Sequence, residues 1–300
     1  MPLTKQEWLA LEKKANELRK LCLDTTYWAG SAHIGGGMSV MDIMTVLYHK
    51  YMHLDKDNPN WEDRDRFILS KGHAGVAYAA VLCDYGYNDP EQLKTFNLSN
   101  SKMGIHLDSN KVVGADASTG SLGHGLSIAA GSLGHGRSIA AGTGLAARIK
   151  GKDYKTFCVL GDGECDEGSN WEAAMTIAHY NITNVISFVD RNQCMIDGPT
   201  EEVMKLEPFC DKWRSFGFHV IEIDGNNIKE LCDAIDYAYE NTEKPVMIVA
   251  NTVKGCGVDY MEGDYKWHYG ALNEEKYELA KKSLEAFYKK RCERAEKEGA

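Results

Sequence analysis

The chain has 300 residues, 43% hydrophobic and 26% charged, a balance that suits a soluble globular protein with a sizeable core. Its formal net charge of −10 argues against a nucleic-acid partner, and no window approaches the roughly 20 apolar residues of a membrane helix. Nine cysteines without CxxC spacing favour neither a disulfide framework nor a cysteine zinc site, and the charged, amphipathic N-terminus is no secretory signal, so a cytoplasmic location is expected.

In chain order, helical periodicity runs through residues 7–31 and again through 38–54, bracketing a loop, SAHIGGG. RDRFILSKGH reads as a short buried strand ending in a turn, and HAGVAYAAVLCDYG as the helix after it. Further on, KTFCVLGDG, NVISFVD, HVIEIDG and PVMIVANTVKG are β-branched runs alternating with the helical stretches WEAAMTIAHY and IKELCDAIDYAYEN. This alternation predicts an α/β fold, a doubly wound parallel sheet with helices on both faces. The tail, 274–300, is charged and helical in period and reads as a solvated terminal helix. No Pro/Gly/Ser linker divides the chain, so residues 1–300 are expected to form one domain.

In an open parallel sheet, ligands bind beyond the carboxyl ends of the strands. Gly161-Asp162-Gly163 follows one apolar strand, and Asn192 ends the next. Parallel neighbours would bring the two ends together, and a carboxylate, an amide oxygen and a nearby backbone carbonyl are hard ligands suited to Mg²⁺ on a diphosphate. Gly-Asp-Gly alone is equally an Asx turn; the strand-end context and the matching Asn favour the metal reading.

Gly161-Asp162-Gly163 through Asn192 resembles the diphosphate motif of thiamine diphosphate enzymes, and its surroundings resemble the N-terminal half of transketolases. SAHIGGG is similar to that family's Ser-Gly-His-Pro-Gly loop and LSKGHA to its Lys-Gly-His segment. STGSLGHG is similar to its Thr-Gly-Ser-Leu-Gly-Gln-Gly loop, and KGCGVDYMEGDYKWHYG to its Lys-Gly-x-Gly-Val…Trp-His segment. The resemblance implies a thiamine diphosphate-binding fold of the diphosphate-binding type. Asp162, Asn192 and the carbonyl of Cys194 would hold Mg²⁺, with Ca²⁺ or Mn²⁺ as possible substitutes. Gly161 and the Gly163 amide would lie against the diphosphate, and Glu167 would stand at a subunit interface near the cofactor. His33, His73, His106 and His268 would line the channel and handle substrate hydroxyls and protons, with His73 and His268 also touching the cofactor.

Four histidines on Gly-flanked loops or at strand ends are an unusual excess, and imidazole exchanges protons near neutrality. Without the resemblance, His106 would read as a surface histidine. Those at 49, 53, 179 and 219 read as structural or surface.

The resemblance also implies a missing half. The glutamate that activates the cofactor, and most arginines that grip a sugar phosphate, belong in this family to a pyrimidine-binding domain, which is expected to be absent from this chain. A split transketolase is therefore expected, in which this chain pairs with a separate C-terminal subunit to form a heterotetramer of two plus two. It would transfer a two-carbon ketol unit between sugar phosphates. The alternatives are an impaired or regulatory binding subunit, and a related thiamine diphosphate enzyme acting on another sugar.

One phrase is said twice: GSLGHGLSIAA (120–130) is followed by GSLGHGRSIAA (131–141). The resemblance places such a loop at the cofactor, through Gly120 and Leu122 of the first copy or Gly131 and Leu133 of the second. Absorbing the second copy into the following helix would lengthen it by about 16 Å and bury three glycines in it, at about 1 kcal/mol each. Looping out the first copy costs far less, near 0.6 kcal/mol per doubling of loop length. Length and propensity thus favour the second copy. Arg137 objects, because the family has an apolar residue where Arg137 stands, and Leu126 of the first copy supplies one. In both copies a histidine, His124 or His135, replaces the family's Gln and conserves a polar side chain.

Overall fold

A computed structural model of the chain describes residues 3–121 and 129–299. Helix α1 (Lys5–Ala29) opens with a capping box between Thr4 and Glu7 and stops at Gly30, whose φ of +80° favours glycine. Strand β1 (Ser31–Ala32) and helices α2 (Ile34–Val46) and α3 (Gly75–Asp84) flank β2 (Arg66–Leu69). Then come α4 (His135–Lys150), β3 (Thr156–Gly161), α5 (Gly168–His179) and β4 (Val185–Arg191). The short α6 (Thr200–Val203) and α7 (Phe209–Ser215) lead to β5 (His219–Asp224), α8 (Ile228–Glu240), β6 (Val246–Asn251), β7 (Gly270–Ala271) and α9 (Glu274–Glu298).

Five strands form one parallel sheet in the order β2-β3-β4-β6-β5, while β1 and β7 form a separate antiparallel pair. Side chains alternate across the sheet. Phe157, Val159, Phe188 and Ile248 enter the core shared with α1, α2, α3 and α8; Cys158, Leu160, Val189 and Met247 enter the core shared with α4, α5 and α7. Cores on both faces explain why these strands read as continuous apolar runs. This is the doubly wound α/β architecture expected from the alternation of elements. Among the described residues no helix is long and apolar enough to cross a membrane.

Two expectations need correction. The segment read as the loop SAHIGGG forms β1 and then the first turn of α2, which is buried on every side. Its glycines answer to packing: a Cβ on Gly35 would come within 2.4 Å of the Trp267 carbonyl. The tail read as solvated is a docked helix. Ala280, Leu284, Arg291 and Ala295 of α9 are buried, and the Arg291 guanidinium pairs with Glu12 and, at 2.8 Å, with Asp42. Asp42 also accepts two hydrogen bonds from Arg19 at 2.6 and 2.9 Å. Burial alone would raise the Asp42 pKa, but the two guanidinium groups outweigh it and hold the carboxyl well below the usual range.

The repeated phrase is anchored at its edges. Ala130 N–H donates to the Ser118 carbonyl at 2.7 Å, and Ser118 bridges to Ala129, so the chain leaves at Ser121 and returns beside its point of departure. Leu122, His124 and Leu126 of the first copy lie outside the described residues. The second copy starts α4. Gly134 caps it at φ +83°, and a Cβ on Gly136 would come within 2.4 Å of Ser70 Oγ, so glycine is required by conformation at one position and by contact at the other.

Arg137 is 0% exposed. Its guanidinium carbon lies 4.4 Å from the Trp213 ring centroid and 4.7 Å from that of Phe218, and none of its nitrogens has a hydrogen-bond partner among the described residues. Burial lowers its pKa to about 10. Desolvated cation–π contacts return about 2 kcal/mol, whereas each buried donor left unmade costs about 1–3 kcal/mol, so the cost wins. Arg137→Leu, the residue the first copy carries at the equivalent position, is expected to stabilise the fold by about 1–3 kcal/mol. Urea unfolding should show the midpoint rising; a fall would mean that the guanidinium has a stabilising partner.

Candidate functional site

The carboxyl ends of β2, β3, β4 and β6 open onto a cavity of about 360 Å³, within the size range of small-molecule sites. Pairing of β3 with β4 sets Gly161 opposite Asp190, which places Asp162 beside the turn that holds Asn192 and Cys194. That turn is tight. Gln193 takes φ +59°, Cys194 N–H donates to Asn192 Oδ1 at 3.1 Å, and Gln193 N–H donates to Asp162 Oδ2 at 2.6 Å. Non-glycine residues in this region are uncommon and cluster at functional sites.

Asp162 is buried, and burial followed by repulsion from Asp190 raises its pKa to about 6. Lys254, also buried, reaches the Cys194 carbonyl at 3.0 Å and His268 Nδ1 at 3.2 Å. Burial, followed by repulsion from Lys71, lowers the Lys254 pKa to about 8. Lys71 in turn pairs with Asp190 and donates to the Gly36 carbonyl at 3.0 Å. The Glu164 carboxylate accepts from Gly134 N–H at 2.9 Å, Gly161 N–H at 3.0 Å and the Ser70 hydroxyl, so it joins the start of α4 to the end of β3.

The histidines meet at one end of this cavity. His73 stacks on His268 with ring centroids 4.8 Å apart, and His33 lies 5.5 Å from His73, 5.3 Å from His268 and 6.3 Å from His106. Burial, then the neighbouring His106 and lysines, lowers His33 to about 4; burial, then Lys254, lowers His268 to about 3. His73 also lies well below its ordinary value, through burial and Lys71. At neutral pH these three rings are uncharged, so each offers one nitrogen as a hydrogen-bond donor and the other as an acceptor. Hydrogen bonding selects the tautomers: His106 Nδ1 faces the Thr119 carbonyl at 2.7 Å and must carry its proton there. His268 Nδ1 faces an ammonium and must be the acceptor.

Of the residues singled out from the sequence, His73, His106, Gly131, Leu133, Gly161, Asp162, Gly163, Asn192, Cys194 and His268 line the cavity. His33 joins through the histidine cluster. Gly120 is buried beside Gly131 and is not in the cavity wall, Glu167 is exposed at the start of α5, and Leu122 lies outside the described residues. His135 turns back toward the Ser132 and Leu133 carbonyls and is not part of the wall. Lys71, Glu164 and Lys254 are functional candidates that sequence reasoning missed. Both lysines precede a glycine just after a strand, inside phrases already singled out, and that position was the available signal.

Two observations bear on whether a diphosphate-bound divalent cation fits. The Asp162 carboxylate, Asn192 amide oxygen and Cys194 carbonyl are hard oxygen donors, and an ammonium already stands on the Cys194 carbonyl where a cation would be needed. Among the described residues no three His, Cys, Asp or Glu side chains are placed to hold a metal by themselves. A cation here would take oxygens from its ligand, as Mg²⁺ usually does with phosphates.

Comparison with known proteins agrees with this geometry. Residues 11–291 match the family described as transketolase, thiamine diphosphate binding domain. The chain is 39% identical over 280 residues to a 6-deoxy-6-sulfo-D-fructose transketolase subunit of a Clostridium species, covering 93% of this chain and 98% of that one. It is 37% identical over 291 residues to an apulose-4-phosphate transketolase subunit of Phocaeicola vulgatus, covering 96% and 97%. The crystal structure of Campylobacter jejuni transketolase superposes with a TM-score of 0.83 at 31% identity, covering 92% of this chain and 42% of that one. The chain thus spans nearly the full length of the subunit relatives and less than half of the longer transketolase. It belongs to the transketolase family and carries that family's thiamine diphosphate-binding domain.

Proposed function

We propose that this chain is the diphosphate-binding subunit of a two-chain transketolase, with Mg²⁺ and thiamine diphosphate held in the cavity and a separate pyrimidine-binding subunit completing the site. The observation that carries this reading is the juxtaposition of one hard-oxygen set, Asp162, Asn192 and the Cys194 carbonyl, with a cluster of histidines at the same cavity. The near full-length match to relatives named as transketolase subunits supports the two-chain form. A heterotetramer of two plus two is the proposed assembly.

Asp162 and Asn192 would hold the metal, the Gly163 amide would approach the diphosphate, and Lys254 would offset its charge. Gly131 and Leu133 of the second copy would wall the cofactor, with Glu167 at the facing subunit boundary. When bound, thiamine diphosphate supplies the electron sink for cleaving the bond next to a ketose carbonyl. His33, His73, His106 and His268 would orient sugar hydroxyls by hydrogen bonds and take part in their proton transfers. The substrates would be anionic sugars. One relative's name specifies a sulfonated ketose and another's a ketose phosphate; gripping the anionic end is assigned to the partner subunit.

The direct test mixes the chain with its candidate partner, Mg²⁺, thiamine diphosphate, a ketose donor and an aldose phosphate. Two-carbon transfer is expected, and Asp162→Ala should reduce it by at least about 100-fold together with Mg²⁺-dependent cofactor binding. A complex that forms and transfers nothing with phosphorylated or sulfonated ketoses would instead support a non-catalytic binding subunit.

The repeat gives a second test. Deleting residues 120–130 joins Thr119 to Gly131, which already lie side by side, and leaves Gly131 and Leu133 in place. The described ends of the extra segment, Gly120 and Ala130, adjoin Gly131 in the cavity wall, so its removal is expected to tighten cofactor binding about twofold to fivefold. Equal affinity would refute an effect of the extra residues, and lost affinity in a variant that stays folded by circular dichroism would assign the cofactor contacts to the first copy.

A further inference from the structure

His33 is where the other three cavity histidines meet. Its Nδ1 is buried and has no partner among the described residues. A fourth aromatic ring closes its side. Tyr269 stands edge-on to His33, with centroids 4.8 Å apart and planes at 73°, and its hydroxyl lies 2.8 Å from Ser31 Oγ. Nothing in the local sequence pattern singles out this tyrosine.

Backbone holds the arrangement. β1 pairs with β7 so that Ser31 faces Ala271 and Ala32 faces Gly270, which clips the residues just before His33 to those just after His268. Gly270 lies flat on Trp267, where a Cβ would come within 2.5 Å of the ring, so the clip has little freedom to shift. Tyr269 is 43% exposed, so its ring lies between the buried cluster and solvent.

We propose that Tyr269 is a positioning residue that fixes the orientation of the His33 imidazole and shields it from bulk water at the entrance to the cavity. The ring provides this through edge contact, and the hydroxyl pair with Ser31 only tethers it. The inference deepens the transketolase reading and rests on it for the use of His33 in proton exchange. The positioning itself is a property of the chain alone.

The groups facing His33 are His73 from the turn after β2, His106 from the segment after α3, His268 and Tyr269 before β7, and the Lys71 and Lys254 ammonium groups. Burial is the largest cause of its depressed pKa, so removing the Tyr269 ring, the one packed against it that is open to solvent, should raise that value.

Proton titration of His33 by nuclear magnetic resonance in the isolated chain tests this without partner or activity. Tyr269→Ala is expected to move the His33 midpoint up from about 4 toward the ordinary value near 6.5. Tyr269→Phe, which keeps the ring and loses the Ser31 contact, should leave it within half a unit of the parent. In the assembled enzyme, Tyr269→Ala should lower kcat about tenfold with little change in KM, and Tyr269→Phe should restore it. An unchanged His33 midpoint in Tyr269→Ala overturns the proposal. A shifted midpoint in a complex whose parent transfers no ketol unit upholds the positioning and sinks the functional reading. Should Tyr269→Ala fail to fold, Tyr269→Thr removes the ring while suiting the extended backbone at this position, and should move the midpoint in the same direction.

Discussion

One buried carboxylate organises the loops of this site. Asp190, at the end of β4, accepts from Lys71 and from Ser39 at 2.7 Å through one oxygen, and from Thr252 through the other. Lys71 also holds the Gly36 carbonyl. Four of these groups lie two or three residues from a residue of the site: Lys71 from His73, Thr252 from Lys254, Gly36 from His33, and Asp190 itself from Asn192. Four segments that are distant in sequence are thus set against one charge. Removing one partner of a buried ion pair costs about 3–5 kcal/mol because the other is left uncompensated. That asymmetry makes the network a strong constraint on geometry, whatever its net contribution to stability.

The charge pattern around that hub separates two kinds of chemistry. At the sheet end, Asp162, Asp190, Lys71 and Lys254 stand in alternating sign, a field suited to a cation and a diphosphate together. At the other end, His33, His73 and His268, kept neutral by burial and by the same lysines, are suited to hydrogen bonding with hydroxyl groups. Lys254 serves both ends, through the Cys194 carbonyl and His268 Nδ1.

Much of this was legible in the sequence. Apolar runs gave the strands, and their spacing brought Asp162 and Asn192 to one edge of the sheet, because parallel neighbours in register fix where their ends meet. Residues whose partners lie far away in sequence were not legible. The burial of α9 depends on Arg291 finding Glu12 and Asp42, and a charged tail carries no local sign of it. The repeat could be weighed by length and helix propensity, which favoured the second copy, and the structure starts α4 there. It does so with Arg137 between two aromatic rings, a cost that sequence could name but not locate. Lys71, Lys254 and Tyr269 sit inside motifs already quoted, but their chemistry appears only when three strand ends converge.

A single buried network positions the residues proposed to hold the cofactor. Thiamine diphosphate affinity in the presence of Mg²⁺, compared between the parent chain and Asp190→Asn in complex with the partner subunit, tests it most directly, with folding of the variant checked by circular dichroism. A folded protein is expected whose cofactor affinity falls by at least about tenfold, although Asp190 is not itself a proposed metal ligand. Unchanged affinity in the folded variant would contradict it.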